Sequence, residues 1–169
     1  MKPTTVQDEF LKIVNENQGI IRKVCHVYGR DEAGKEDLYQ EIVIQLWKSY
    51  SSFRGESKFS TWMYRIALNT AISDLRKQSR RVDLKFPEFI PREDADMRDD
   101  AREEQLKQLY TAIQKLSEVE KAVVMLYLED KSYEEMEEIL GISNGNLRVK
   151  MNRIKDKLRT IAKEEAYGT

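Results

Sequence analysis

Residues 132–159, SYEEMEEILGISNGNLRVKMNRIKDKLR, decide the fold of the C-terminal part of the chain. Ser132 and Glu135 have the spacing of a capping box, which marks the start of a helix, and Ser117 and Glu120 have the same spacing upstream. Gly141 stands where a residue in the left-handed conformation ends a helix, and the Ser-Asn pair two positions later can cap the next helix. The pattern predicts a short helix, a glycine turn and a second helix, which is a helix-turn-helix.

The second helix of this motif has one apolar face and one basic face. Its apolar residues recur at helical spacing and are Leu147, Met151, Ile154, Leu158 and Ile161. Its other positions are mostly basic or amide-bearing: Arg148, Lys150, Asn152, Arg153, Lys155, Lys157 and Arg159, against the single acid Asp156. A basic helix after a short helix and a glycine turn has the shape that enters the major groove of DNA. The alternative is a solvated face that complements the helix dipole.

Composition and charge limit the class of protein. The chain has 169 residues, of which 40% are hydrophobic and 35% charged, which suits one or two small domains. The formal net charge of −1 excludes a generally basic nucleic-acid coating protein. The charge is segregated, because 58–81 and 148–163 are basic while 83–104 is mostly acidic. This asymmetry indicates DNA-facing patches on a molecule that also meets another partner.

The sequence also indicates where the protein resides. A lone cysteine cannot form an intramolecular disulfide and suits a reducing compartment. No apolar run is long enough to span a membrane, and the polar N-terminus does not have the pattern of a signal peptide. We therefore expect a soluble cytoplasmic protein without direct membrane contact.

Helical periodicity runs through the chain and strand alternation is not evident. The expected helices cover about 5–28, 36–52, 60–80 and most positions from about 101 onward, with a turn at 29–34 and a polar loop at 53–61. The sequence predicts an all-α fold: two small helical domains joined by a flexible acidic linker, the second a helix-turn-helix domain. The expected boundaries are 1–81, 82–104 and 105–169.

Catalytic motifs are missing from the sequence. His26 is the only histidine, and its neighbour Cys25 points to a different side of a helix, so the pair forms neither a catalytic dyad nor a metal site. No glycine-rich nucleotide motif, P-loop or zinc-protease motif occurs. We expect no enzyme activity, no catalytic residue, no metal site and no cofactor.

Two stretches of the N-terminal half carry a resemblance to a known family. They are the segment 37–48, DLYQEIVIQLWK, and the segment 53–71, FRGESKFSTWMYRIALNTA. Both closely resemble domain 2 of the bacterial extracytoplasmic-function (ECF) sigma factors of the sigma-70 family, and the C-terminal part resembles domain 4. The resemblance covers nearly the whole chain. It implies a protein that binds core RNA polymerase, directs promoter-specific initiation through the -10 and -35 elements and helps to open the -10 region.

The resemblance also implies sites in the N-terminal domain. The segment 37–48 would dock on the clamp coiled coil of the polymerase, with the flap as a further polymerase contact. The residues at matching surface positions are Asp37, Gln40, Glu41 and Trp47. The loop and the helix after it would capture a flipped base and hold the -10 DNA through Phe53, Gly55, Ser57, Lys58, Phe59, Ser60, Thr61, Trp62, Arg65, Asn69, Arg76 and Lys77, with Asp74, Arg80 and Arg81 as further candidates. The periodicity leaves open that Trp47, Phe59 and Trp62 are core residues and that Ser60 or Thr61 only caps the helix.

In the C-terminal domain the resemblance places one end of the second helix over the -35 element. The residues implied are Ser143, Asn144, Asn146, Arg148, Val149, Lys150, Asn152 and Arg153. Arginine can recognise guanine bidentately, and asparagine can recognise adenine. The chain departs from the common family pattern at Val149, where serine is frequent, and at Asn152, where an aromatic residue is frequent. A particular promoter sequence therefore does not transfer.

Three further expectations concern the linker, a partner and an alternative function. The acidic linker either follows the polymerase cleft toward the RNA exit channel or serves as a solvated spacer. An anti-sigma factor that buries a DNA-binding face is expected from the resemblance. The alternative is a stand-alone helix-turn-helix regulator with an unrelated helical N-terminal domain. Such a regulator would bind a palindrome tightly as a dimer, whereas a sigma factor would bind DNA weakly until polymerase is present.

Overall fold

The computed structural model describes residues 3–79 and 100–167, and these two ranges are helical with short connections. The helices are α1 Val6–Glu16, α2 Gln18–Tyr28, α3 Glu32–Tyr50, α4 Phe59–Ser79, α5 Asp100–Gln114, α6 Glu118–Leu128, α7 Tyr133–Leu140 and α8 Asn144–Tyr167. No strand occurs within the described ranges. The all-α prediction is confirmed.

The chain divides into two compact units. One contains α1–α4, and the other contains α5, α6, α8 and most of α7. Most of the predicted linker, together with Arg80 and Arg81, lies outside the described residues, and α5 begins at Asp100, inside the stretch expected as linker. Among the described helices, none combines the length and the apolar character needed to cross a membrane.

The first unit is built on three helices, because α2, α3 and α4 pack against one another and α1 packs on α2 and α3. Its fully buried side chains come from all three central helices: Ile21, Val24, Ile42, Leu46, Met63 and Leu68. Cys25 is also buried, and burial raises the pKa of its thiol to about 11. The thiol is therefore protonated at neutral pH and acts as a small apolar core group.

The first predicted helix is in fact two helices, which meet at Asn17. The backbone of Asn17 has φ −116° and ψ 15°, outside the helical region. Its backbone N–H donates to Ile13 and Val14, and its side-chain amide donates to the Ile13 carbonyl at 2.9 Å. The asparagine amide thus satisfies a carbonyl at the end of α1. Periodicity alone did not predict the break, since the apolar residues continue at helical spacing on both sides.

Helix α3 begins four residues earlier than expected, and the turn before it is correspondingly shorter. The carboxylate of Asp31 accepts a hydrogen bond from the backbone N–H of Gly34 at 2.7 Å, which is the geometry of an N-cap. Gly34 was predicted to lie in the turn and instead lies in the first turn of the helix. The short polar cap therefore outweighs the low helix propensity of glycine.

The second unit is built on α5, α6 and α8, which pack against one another. Leu126, Met136, Leu147 and Ile154 are among its fully buried side chains. Helix α6 is buried around most of its circumference, and even Lys121 is only 2% exposed. Its ammonium group donates to Gln114 Oε1 at 3.2 Å, and burial lowers the pKa of the lysine.

The predicted helix starts of this unit are confirmed, with one difference. Ser117 and Glu120 form a complete capping box at the start of α6. Ser132 caps α7 by accepting a hydrogen bond from the backbone N–H of Glu135 at 3.1 Å. The Glu135 carboxylate lies 3.6 Å from the ammonium group of Lys131. The capping-box pattern predicts that the Glu135 carboxylate accepts from the Ser132 backbone N–H. In the structure this carboxylate instead forms an ion pair with Lys131.

Candidate nucleic-acid interface

The loop between α3 and α4 is closed by three aromatic rings. The Phe53 and Phe59 ring centroids lie 5.5 Å apart in an edge-to-face arrangement. Each of the two phenylalanine rings lies 5.1 Å from the Trp62 ring. Such contacts stabilise beyond the area that they bury. The three rings therefore hold the two ends of the loop together.

The segment between these rings presents polar residues to solvent. Arg54, Gly55, Glu56 and Lys58 are exposed, and Ser57 is half-buried. Gly55 has φ +72°, in the left-handed region, and open space surrounds the position that a Cβ would take. Glycine is thus needed there for backbone conformation and not for close approach. The loop combines small polar groups, a cation and partly exposed aromatic edges, as a site for an unstacked base requires.

The structure corrects two residues predicted to contact DNA in this region. Thr61 is only 3% exposed and Trp62 only 8%, so their side chains lie in the interior of the unit. The physical reason is that α4 packs against both α2 and α3, which bury most of its circumference. Phe59 and Ser60 are half-buried and keep part of their surface at the loop. Trp62 is a core residue that packs against the phenylalanines of the loop, which is the alternative that the periodicity left open.

The exposed side of α4 carries a line of polar residues. Arg65, Asn69 and Arg76 are exposed and fall within about 40° around the helix axis, over a length of about 16 Å. Lys77 is exposed at the margin of this line. We call Arg65, Asn69 and Arg76 the α4 stripe. A cationic line of this length with one amide suits the backbone of a nucleic acid with contact to a base edge.

Asp74 does not belong to the α4 stripe, because it lies about 180° from Arg65 around the helix. Burial raises the pKa of its carboxyl, and the charges of Glu41 and Asp37 raise it further. The nearby carboxylates belong to α3, so Asp74 faces that helix. Asp74 is therefore not a DNA-contact candidate, because its carboxylate faces α3 and not the side of the helix that carries the α4 stripe.

The outer side of α3 carries a second line, formed by Asp37, Gln40, Ile44 and Trp47, which we call the α3 stripe. All four are exposed and fall within about 80° around the axis. The Trp47 ring packs on Phe10 with centroids 5.0 Å apart, yet the residue remains 45% exposed. Glu41 lies beside the stripe, half-buried, and accepts a hydrogen bond from Gln45.

Ile44 is a member of the α3 stripe that the sequence analysis missed. It is 45% exposed, which is unusual for isoleucine. The signal for it was in the sequence, because the buried positions of α3 are Leu38, Ile42 and Leu46, and Ile44 lies about 200° from Ile42 around the helix. Two apolar side chains with a polar rim resemble the anchor of a protein interface.

In the second unit, the helix-turn-helix has the predicted local geometry. Gly141 ends α7 with φ +69°, and its N–H donates to the Glu137 carbonyl at 2.8 Å. Ser143 then caps α8, since its hydroxyl accepts from the Asn146 N–H at 3.4 Å. The apolar face of α8 is buried through Leu147, Met151 and Ile154.

The opposite half of α8 presents most of the predicted -35 residues to solvent. Asn146, Arg148, Val149, Asn152 and Arg153 are exposed and follow one another around the helix. Lys150 is half-buried, at the edge of this surface. Ser143 is exposed, but its hydroxyl is engaged in the cap, and Asn144 is half-buried with hydrogen bonds to two side chains. A helix of this length and polarity fits the width of a major groove.

Within the described ranges, 3–79 and 100–167, no three His, Cys, Asp or Glu side chains are grouped closely enough to hold an ion. The candidate surfaces are outward-facing lines of amides, cations and apolar side chains. Such surfaces bind macromolecules through many weak contacts.

Comparison with known protein families assigns both units. Residues 13–81 match the family model for sigma-70 region 2, and residues 106–158 match the model for sigma-70 region 4. The ECF RNA polymerase sigma-E factor of Haemophilus influenzae is 36% identical over 135 residues, which cover 71% of this chain and 70% of that protein. The sigma-E factor of Escherichia coli strain K12 is 32% identical over 132 residues, covering 71% and 69%.

Two solved structures share the fold at 20% sequence identity. One is the sigma factor RpoE in complex with the anti-sigma factor NepR from Bartonella quintana, with a TM-score of 0.74 over 92% of this chain and 97% of that one. The other is CnrH in complex with the cytosolic domain of CnrY, with a TM-score of 0.66 over 93% of this chain and 89% of that one.

Proposed function

The chain belongs to the ECF sigma factors of the sigma-70 family, the non-catalytic RNA polymerase subunits that direct promoter-specific transcription initiation, and we propose how its surfaces divide that work. The first unit binds core polymerase through the α3 stripe and the -10 element through the loop and α4. The second unit binds the -35 element through α8. The observation that carries this division is that three outward surfaces lie on separate helices: an apolar one with a polar rim on α3, and two basic ones with amides on α4 and α8.

The α3 stripe is the polymerase-binding surface. Trp47 and Ile44 supply exposed apolar area, and Asp37 and Gln40 supply the polar rim. Aromatic anchors with a polar rim carry most of the binding energy in protein interfaces. The partner surface is the clamp coiled coil, with the flap as a second polymerase contact for the C-terminal unit.

The loop is the site for a base of the opened -10 strand. Gly55, Ser57 and Lys58 form its accessible part, with Phe53 and Phe59 at its edges. Trp62 packs against both phenylalanine rings from the interior. The α4 stripe and Lys77 then follow the adjacent DNA, with Asn69 toward a base edge and the cations toward phosphates.

The exposed half of α8 is the -35 recognition surface. Arg148 and Arg153 offer bidentate donors to guanine, and Asn146 and Asn152 offer amides to adenine. Val149 is exposed in the middle of this surface and offers apolar contact to a thymine methyl group. Lys150 lies at the margin, where a phosphate is the natural partner.

An anti-sigma factor is a further partner in this proposal. The support is the fold shared with RpoE, whose structure contains the anti-sigma factor NepR. A protein that covers the α3 stripe would compete with polymerase, and one that covers α8 would compete with the -35 element.

The experiment that tests the proposal is in vitro transcription with core RNA polymerase, the full chain and a library of promoter fragments. Transcripts that require the chain and share upstream -10 and -35 sequences are the expected result. Footprinting of a palindrome by the chain alone, with no complex with core polymerase, would overturn the proposal in favour of a stand-alone regulator.

Variants separate the surfaces in the same assay. The double substitution Ser57→Ala and Lys58→Ala should keep polymerase binding and reduce open-complex formation about fivefold or more, since contacts to an unstacked base are lost. Lys12→Ala with Asn15→Ala, both exposed on α1, is the matched control and should leave open-complex formation unchanged. Wild-type open-complex formation by the loop variant would remove the base-capture role. Trp62→Ala is unsuitable as a probe, because it would unfold the unit.

The polymerase surface has its own variant. Ile44→Lys places a charge on an exposed helix position, so folding should be retained while binding to core polymerase weakens. A pull-down with core enzyme measures this, and unchanged binding would exclude Ile44 from the interface.

A further inference from the structure

Arg148 is held in place by the preceding helix of the motif. The carbon at the centre of its guanidinium lies 4.5 Å from the centroid of the Tyr133 ring, a cation–π contact. Tyr133 is the first residue of α7, and Arg148 lies in the second turn of α8. The contact therefore joins the two helices of the helix-turn-helix on the side where α8 is exposed.

A second contact fixes the orientation of the same side chain. Arg148 Nε donates to Asn144 Oδ1 at 2.8 Å, and Asn144 Nδ2 donates to Glu134 Oε1 at 3.2 Å. The chain of hydrogen bonds runs from α8 back to α7. Tyr133 thus determines the plane in which the guanidinium lies, and Asn144 determines its rotation within that plane.

These two contacts leave one edge of the guanidinium available. Within the part of the chain that the structure describes, the terminal nitrogens of Arg148 make no hydrogen bond or ion pair. Those nitrogens can form the end-on pair of hydrogen bonds to O6 and N7 of guanine. An arginine that is already oriented loses less side-chain entropy when it binds than one that is free to rotate.

We propose that Tyr133 is a positioning residue that, with Asn144 and Glu134, orients Arg148 for end-on recognition of a guanine in the -35 element. The proposal rests on the proposed function of α8. It changes the role of Asn144, which was predicted to contact DNA. Its amide oxygen already accepts from Arg148, so Asn144 determines the direction of the arginine and does not recognise adenine.

The test uses the full chain in complex with core polymerase and templates whose -35 region is randomised. Sequencing the transcripts gives the preference for each base at each position. Arg148→Ala identifies the position that Arg148 recognises, where the preference for guanine should fall about fivefold or more. Tyr133→Leu, which removes the aromatic face but keeps apolar bulk, should lower the preference about two- to fivefold at that position alone.

Two controls distinguish positioning from a structural role. Tyr133→Phe keeps the aromatic face and should keep the wild-type preference. Tyr133→Leu combined with Arg148→Ala should match Arg148→Ala alone, because the tyrosine acts only through the arginine. Thermal melting of each variant shows whether the fold is retained.

The outcomes distinguish a failure of the proposed function of α8 from a failure of the positioning role of Tyr133. If Arg148→Ala changes no base preference, the proposed function of α8 fails and this inference fails with it. If Arg148→Ala changes one position while a folded Tyr133→Leu changes none, only the inference is overturned. A loss spread over all positions, or persisting in the Arg148→Ala background, also overturns it, since Tyr133 would then be structural.

Discussion

Glu120 and Lys121 are neighbours in α6 whose charges have opposite effects on stability. The Glu120 carboxylate is 2.8 Å from the ammonium of Lys157 on α8, and it also takes part in the capping box with Ser117. Burial raises its pKa, but the hydrogen bonds from Lys157 and Ser117 outweigh that effect, and the net pKa is lowered. Lys121 is buried, and its lowered pKa shows that the charged form is disfavoured. Two adjacent residues of one helix thus differ because hydrogen bonds outweigh burial at Glu120, whereas burial outweighs the attraction of Glu118 at Lys121.

Glu120→Gln should destabilise the second unit at neutral pH. A carboxyl whose pKa is lowered by folding contributes stability above its ordinary pKa of 4.5, and loses that contribution as pH falls through the lower folded value. We expect a loss of about 1 kcal/mol at pH 7, since the lysine partner is half-exposed. Urea unfolding across pH should show the difference between wild type and variant shrink below pH 4.5.

Asp156→Asn is the matched control for this prediction. Its ion pair with Arg159 is solvent-exposed on both sides, so little change is expected. A difference between wild type and Glu120→Gln that stayed constant down to low pH would show that the carboxylate charge is not what stabilises the unit.

At the scale of elements, caps determine where the helices start and end. The caps at Ser117 and Ser132 and the glycine at 141 were predicted from sequence because each depends on a few consecutive residues. Asn17 and Asp31 also end and start helices, yet their effects were not predicted. Asparagine and aspartate are common in loops and turns as well, so their presence alone does not mark a boundary.

Gly141→Ala should destabilise the helix-turn-helix. The residue has φ +69°, where an added Cβ costs about 1–2 kcal/mol, although open space surrounds the position. Gly19→Ala is the control, because this glycine lies within α2 and also has open space around it. There the substitution should stabilise by about 0.5–1 kcal/mol. Chemical denaturation measures both, and equal effects would contradict a conformational requirement at position 141.

At the scale of the whole molecule, charge is nearly balanced and unevenly distributed. The chain has 29 basic and 30 acidic residues, while the exposed half of α8 and the α4 stripe are basic. A molecule without net positive charge gains little from non-specific attraction to DNA. We therefore expect the two proposed DNA-binding surfaces to depend on the polymerase to bring both of them to the promoter.

The free chain should accordingly bind promoter DNA weakly, and the complex with core polymerase should bind it tightly. Lys150→Ala should weaken binding of the complex and reduce the slope of log K against log salt by about one, because this lysine lies at the margin of the α8 surface, where a phosphate is its proposed partner. Fluorescence titration over a range of salt concentrations measures the slope. An unchanged slope with altered base preference would instead make Lys150 a base-recognising residue.

The sequence by itself determined the all-α fold, the helix-turn-helix and the exposed half of α8. These depend on spacing and caps within one segment, and the family resemblance reinforced them. Only the tertiary structure decided which side chains of the first unit are accessible. Periodicity identifies an apolar face but not how many helices cover it. Thr61 and Trp62 are buried in α4, which packs against α2 and α3, whereas Ile44 of α3 remains exposed. The contact of Arg148 with Tyr133 was likewise decided by how the chain folds back at Gly141, because two residues 15 positions apart meet only when that turn brings α7 and α8 together.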